Sequence, residues 1–161
     1  MIEIIKAETP AEIEATRGLF REYEKWFGLK LCFQNFDQEV ENLPGAYVPP
    51  DGRLYLALAD DKLAGCIALR KLEEGICEMK RLFVREDFRG RRIGIMLIEK
   101  LLEEARLIGY RRMRLDTFPA KMGKAVELYR SYGFYEIPPY YHNPYGETLF
   151  MEKVIAKSEK V

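Results

Sequence analysis

The segment Glu78-Met79-Lys80-Arg81-Leu82-Phe83-Val84 leads, five residues later, into Arg89-Gly90-Arg91-Arg92-Ile93-Gly94. The first piece reads as a strand, the second as a basic, glycine-containing turn, and an amphipathic helical pattern follows at once. A turn of that kind aims several backbone N–H groups and a helix N-terminus at one point, which suits a phosphate-bearing ligand. Taken alone, Gly-x-x-x-Gly in a basic loop is equally compatible with a purely structural turn. It is not a Walker A loop, because no Gly-Lys-Ser/Thr follows. Nor is it the dinucleotide fingerprint, since only Gly90 and Gly94 are present.

The elements that must hold this turn can be read from capping and periodicity. Residues 2–6 form a short strand. Thr9-Pro10-Ala11-Glu12 is a capping box with proline at the first helical position, and Ile13, Thr16, Leu19, Phe20, Tyr23 and Phe27 follow at helical spacing up to Gly28. A shorter helix is predicted over 37–43, ended by Pro44-Gly45, with a turn-rich loop to Gly52. Strands over 54–59 and 63–69 form a hairpin across Asp60-Asp61-Lys62, and a third strand covers 76–84. A helix over 92–108 closes on Gly109. A strand over 112–117, a helix over 122–132, and strands over 134–137 and 148–154 complete the chain. This alternation predicts one mixed α/β domain spanning residues 1–161.

Composition narrows the function classes. At 161 residues the chain is long enough to bury a substantial core, and its balance of 48% hydrophobic and 32% charged residues is that of an ordinary globular protein. A formal net charge of zero argues against a nucleic-acid binder, whereas Arg85, Arg89, Arg91 and Arg92 crowd basic charge around the turn. Local charge on a neutral protein suits a small anion. Cys32, Cys66 and Cys77 have no CxxC spacing; Cys66 and Cys77 sit in apolar runs, a pattern expected of a reducing cytoplasm. His142 is the only histidine, so neither a histidine metal site nor a Ser-His-Asp triad is expected. No signal-peptide h-region or bilayer-length apolar stretch is visible, so no membrane partner is expected.

A second motif lies downstream: Ala125-Val126-Glu127-Leu128-Tyr129-Arg130-Ser131-Tyr132-Gly133-Phe134. Together the two motifs resemble the GNAT superfamily of N-acetyltransferases, whose core runs strand, Arg/Gln-x-x-Gly-x-Gly/Ala turn, helix, strand, and an Ala-x-x-Leu-Tyr-x-x-x-Gly-Phe helix. The resemblance is specific over residues 76–134 and extends in element order over 2–154. It implies a mixed, mostly antiparallel sheet of about seven strands flanked by about four helices, with the fourth and fifth strands splayed apart. Two positions depart from the family pattern. Arg92 stands where glycine is usual, and Met122 stands three residues before Ala125, where many members place asparagine.

The resemblance implies acetyl-CoA as cofactor. Its pyrophosphate would lie on the N–H groups of Arg89, Gly90, Arg91, Arg92, Ile93 and Gly94, and its pantetheine arm on the backbone of Leu82, Phe83 and Val84; Arg85 could add a further contact. Tyr129 matches the family tyrosine that protonates the departing thiolate. A phenol of pKa about 10 is protonated at neutral pH, as that role needs. Glu78, six residues before Val84, matches a glutamate that serves some members as general base, and uninterrupted alternation would put Glu78, Lys80, Leu82 and Val84 on one face. The competing reading of Glu78 is a surface pair with Lys80 or an arginine. Thr117, Tyr140, Tyr141 and Asn143 are candidates for the acceptor pocket, and Arg70, Lys80 and Arg81 for recognising an acceptor carboxylate. The aromatic residues Tyr23, Trp26, Phe27, Phe33, Phe36 and Tyr47 divide between core and pocket wall. The acceptor expected is a primary amine on a small molecule or a protein. A non-catalytic acyl-CoA sensor stays open as the alternative, and by family analogy alone a homodimer is expected.

Overall fold

The computed structural model describes residues 1–28 and 35–155, so Cys32 and Phe33 lie outside the described residues. Seven strands form one sheet in the order β1-β2-β3-β4-β5-β7-β6. They are β1 (Ile2–Lys6), β2 (Arg53–Ala59), β3 (Lys62–Glu73), β4 (Ile76–Val84), β5 (Arg112–Thr117), β6 (Tyr135–Ile137) and β7 (Leu149–Val154). Four helices accompany them: α1 (Pro10–Phe27), α2 (Phe36–Glu41), α3 (Ile93–Ile108) and α4 (Pro119–Ser131). Every strand pairing is antiparallel except β4 with β5. This is the mixed sheet that the sequence motifs imply.

The helix boundaries follow from local chemistry. Thr9 accepts from the Glu12 amide while the Glu12 carboxylate accepts from the Thr9 amide, which closes the capping box at the start of α1. At the other end Gly28 adopts φ +80° and returns its N–H to Glu24. The β2–β3 hairpin turns through Asp60 and Asp61, both at positive φ as a tight hairpin turn needs. The predicted helix over 37–43 is shorter and begins one residue earlier. The helix predicted from Met122 begins instead at Pro119, and Met122 itself is non-helical (φ −126°, ψ 35°).

The sheet is buried on both faces. On one, Met79, Leu97, Leu101, Met113 and Phe134 pack with α3, and Cys77 lies among them. On the other, Leu19, Phe20, Phe36, Leu56 and Phe83 pack with α1 and α2, around Cys66. Burying a side chain of this size contributes roughly 1.5–3 kcal/mol relative to leaving it exposed. Both cysteines are fully buried thiols, as their apolar settings predict. Among the described residues no helix is long and apolar enough to cross a membrane.

Two irregularities in β4 set up the site. First, β4 pairs with β5 only through Ile76, Cys77 and Glu78, opposite Arg112, Met113 and Arg114. Beyond that point β4 keeps β3 as its neighbour and β5 keeps β7, so a wedge opens between them. Second, Ala68 pairs with Lys80 but Cys66 pairs with Phe83, which inserts one extra residue in β4, and Arg81 takes φ +61° there. This bulge corrects the expectation of uninterrupted alternation. Cys77, Met79, Leu82 and Val84 all belong to the α3 face, so Leu82 and Val84 are turned away from the face of Glu78. Gly65 lets β3 approach closely here, because a Cβ on it would sit 2.5 Å from the Phe83 carbonyl oxygen.

Candidate active site

The basic turn sits where β4 runs out. Val84 leads through a 3-10 turn (Glu86–Phe88) to Gly90 at φ +85° and Arg92 at φ +65°, and α3 starts at Ile93. Arg92 is the helix N-cap and supplies no side-chain cap, so the amides of the first turn are not covered by their own cap. A Cβ at Gly90 would meet nothing within 4 Å and one at Gly94 only Val84 Cγ2 at 4.0 Å, so these glycines leave open space in front of the amides. A cradle of bare N–H groups at a helix N-terminus fits a diphosphate. Arg92, at the position that departs from the family pattern, holds a left-handed conformation that glycine adopts most readily.

That conformation carries a cost. A non-glycine residue in the left-handed region is strained by roughly 1–3 kcal/mol, offset in part because glycine is freer in the unfolded chain. Arg92→Gly is therefore expected to raise stability by about 0.5–1 kcal/mol, a melting shift of about 1–4 °C. A melt showing a lower midpoint would mean that the Arg92 side chain contributes more than its backbone strain removes.

Of the arginines near the turn, Arg85 does not face the cradle. It forms a bidentate pair with Glu22 of α1 at 2.6 and 2.9 Å and bonds the Leu63 carbonyl. Arg89 donates to the Val84 carbonyl at 2.8 Å and lies 5.1 Å over the Trp26 ring, while Arg91 stacks 5.4 Å over Phe88. Trp26, the single tryptophan, thus stands beside the cradle, with Lys121 of α4 also within 5.9 Å of its ring.

The wedge between β4 and β5 is a cleft lined by Leu82, Asp116, Thr117, Tyr129, Asn143 and Lys80. Tyr129 is buried, edge-on to Phe134 at 5.7 Å. Burial, together with the nearby Tyr23 and Asp116, pushes its phenol well above the ordinary value, so it is a proton donor and not an anion at neutral pH. Thr117 donates to the Met122 sulfur at 3.3 Å, so the methionine found in place of asparagine is bonded to the strand end.

Glu78 opens into a neighbouring pocket of about 480 Å3, lined also by Gln38, Glu39, Tyr47, Arg70 and Tyr141. The competing reading of Glu78 holds in its partner and is corrected in its placement: it pairs with an arginine, Arg70, but its side chain is 1% exposed and so does not lie at the surface. Arg70 holds Oε1 through Nε at 2.8 Å and Nη2 at 2.7 Å, and the Tyr140 hydroxyl donates to Oε2 at 2.7 Å. Tyr141 donates to Asp116 and accepts from Asn143 at 3.1 Å. The four acceptor-pocket candidates therefore divide: Thr117 and Asn143 line the cleft of Tyr129, Tyr141 lines the pocket of Glu78, and Tyr140 braces Glu78. Among the described residues Lys80 alone lines both cavities, and burial, with Arg81 adjacent, lowers the pKa of its amine.

Arg81 is not presented as a carboxylate receptor. It makes a bidentate pair with Glu39 of α2 at 2.7 and 2.9 Å and lies 4.8 Å over Phe36. Burial would raise the Glu39 carboxyl, but the hydrogen bonds and charge of Arg81 outweigh it and hold it below the usual carboxylate range. Glu39 and Asp116 were not singled out by sequence motifs. Glu39 meets Arg81 across 42 residues of chain, and Asp116 carries only the weak signal of lying at a strand end.

The Acetyltransferase (GNAT) family pattern matches residues 13–134. An uncharacterized N-acetyltransferase of Schizosaccharomyces pombe is 37% identical over 158 residues, covering 97% of this chain and 96% of that protein. A GNAT-family acetyltransferase structure from Staphylococcus aureus superposes with TM-score 0.80 at 22% identity, covering 97% of this chain and 100% of that one. The PaiA N-acetyltransferase of Thermoplasma acidophilum, solved in complex with coenzyme A, superposes with TM-score 0.72 at 21% identity over 96% of this chain and 99% of that one. This chain belongs to the GNAT acetyltransferase family; it is an acyltransferase, and the cofactor of its fold is acetyl-CoA.

Proposed function

We propose that the protein transfers the acetyl group of acetyl-CoA to a primary amine by direct attack within a ternary complex. The observation that carries this reading is a buried, protonated phenol, Tyr129, lining a strand wedge that begins beside an uncapped helix N-terminus. The coenzyme A bound to the Thermoplasma protein is further support. Bound acetyl-CoA supplies an activated thioester and a thiol leaving group. Gly90, Arg91, Arg92, Ile93 and Gly94 hold the diphosphate through backbone N–H groups; Arg89, also expected to do so, instead donates its amide to the Glu86 carbonyl, which closes the 3-10 turn. Leu82, Phe83 and Val84 offer the unpaired edge of β4 to the amide-bearing arm.

In this reading the amine nitrogen forms the new bond to the acetyl carbon as the carbon–sulfur bond breaks. Tyr129 delivers its phenolic proton to the departing sulfur, and Glu78 Oε2 takes the proton released by the amine, through water. Thr117, Tyr140, Tyr141 and Asn143 shape the acceptor side. The chain acts as one domain in a reducing cytoplasm, which suits its two buried free thiols, and pairs as a homodimer by family analogy.

The test combines binding and turnover. Acetyl-CoA is expected to raise the melting temperature where ATP does not, and an amine panel should show thiol release with acetylated nitrogen in the product by mass spectrometry. Stabilisation by ATP alone would remove the cofactor. Stabilisation by acetyl-CoA with no release on any amine would leave a binder without transfer.

A further inference from the structure

The pocket beside Glu78 carries an imbalance of hydrogen-bonding capacity. Each of its carboxylate oxygens is already engaged: Glu78 Oε1 by Arg70, Glu78 Oε2 by Tyr140, Glu39 Oε1 by Arg81, and Glu39 Oε2 by Arg81 and Tyr47. Acidic groups so occupied have little left for a polycationic acceptor. Arg70 is in the opposite position. Its Nε and Nη2 both address one oxygen of Glu78, and among the described residues Nη1 has no partner. Its side chain is 37% exposed, and Arg70 lines the pocket.

A guanidinium edge of that kind matches a carboxylate with two parallel, charge-assisted hydrogen bonds. We infer that the acceptor is an amine that itself carries a carboxylate, and that Arg70 is the residue that selects it. Arg70 bridges the two ends of the chemistry: one edge holds Glu78, and the other anchors the acceptor's carboxylate so that its amine lies near Glu78. Lys80, in the same wall, adds positive potential where the carboxylate enters. Arg81 does not share this duty, because Glu39 occupies its fork. The inference rests on the acetyl transfer proposed above and narrows it to one class of acceptor.

The experiment compares amino acids (α, β and aromatic) each with its own primary amide, which keeps the shape and removes the charge. At least one amino acid is expected to exceed its amide in kcat/KM by about tenfold or more, with the difference in KM, as loss of a charge-assisted pair predicts. In Arg70→Gln that ratio should fall close to one, and Arg70→Lys should restore part of it. A role for Arg70 limited to holding Glu78 would lower both members of a pair together and leave the ratio unchanged, which would overturn the assignment. Wild-type turnover of amides equal to that of their acids would overturn the inference without any variant and leave the proposed activity standing. No turnover on either member of any pair would overturn the inference, and the wider amine panel would then decide the proposed activity separately.

Discussion

Tyr129→Phe lowers kcat by about 100- to 10,000-fold, the range for loss of a positioned general acid. Acetyl-CoA affinity stays within about twofold, because the ring remains packed against Phe134 and only the hydroxyl is removed. The single tryptophan provides the control. Trp26 stands against Arg89 and Phe83, so its fluorescence reports on occupancy of the cradle independently of turnover. The pH profile gives a second readout. Burial raises the phenol, so its loss of a proton, and any alkaline fall in rate owed to it, lies above the ordinary value of about 10. Unchanged turnover in the phenylalanine variant would take Tyr129 out of the mechanism. An equal loss of cofactor affinity would assign it to binding.

Arg81→Ala should be the most destabilising single change near the site. Arg81 and Glu39 are 3% and 18% exposed in their side chains, and removing the arginine strands a buried carboxylate. Breaking a buried pair from one side costs about 3–5 kcal/mol, a melting-temperature fall of about 6–20 °C for a chain of this size. The effect depends on pH with a definite sign. The Glu39 carboxyl is held below its unfolded value, so the pair's stabilisation is present above about pH 4.3 and is lost as pH falls through the folded pKa. The gap between wild type and Arg81→Ala is therefore full at pH 7 and narrows below about pH 4. Replacing both partners by leucine should recover most of the loss, since burial without charge removes the desolvation penalty. A gap that stayed constant down to pH 3 would show that Arg81 acts through packing on Phe36 and Tyr23 and not through Glu39.

The same substitution touches function. Arg81 is the residue at φ +61° where β4 takes in its extra residue, and that bulge turns Leu82 and Val84 onto the α3 face. A strained residue of this kind persists because its surroundings over-determine it, here Glu39 and two aromatic rings. Weakened acetyl-CoA binding in Arg81→Ala at temperatures where the protein is still folded would follow from a relaxed bulge.

The devices read from residues alone were local ones. The Thr9–Glu12 capping box, the Gly28 and Gly109 stops, the hairpin at Asp60-Asp61 and the spacing of Arg89 to Gly94 each act within a few residues. Short-range chemistry of that sort is written in adjacent side chains, and so are the family motifs around Gly90 and Tyr129. What the neighbours of Glu78 would be was not written there. Arg70 reaches it from β3 and Tyr140 from the loop before β7, and the β4 bulge shows only once the register against β3 is known. Sequence by itself determined the elements, the glycine-containing turn before α3 and the family. Tertiary structure alone decided that Glu78 is buried and braced, that Arg81 is spent on Glu39, and that Arg70 keeps an edge for a ligand. The reason is that partners distant in sequence meet only through strand order and register, and hydrogen-bonding capacity becomes a constraint only after burial removes water.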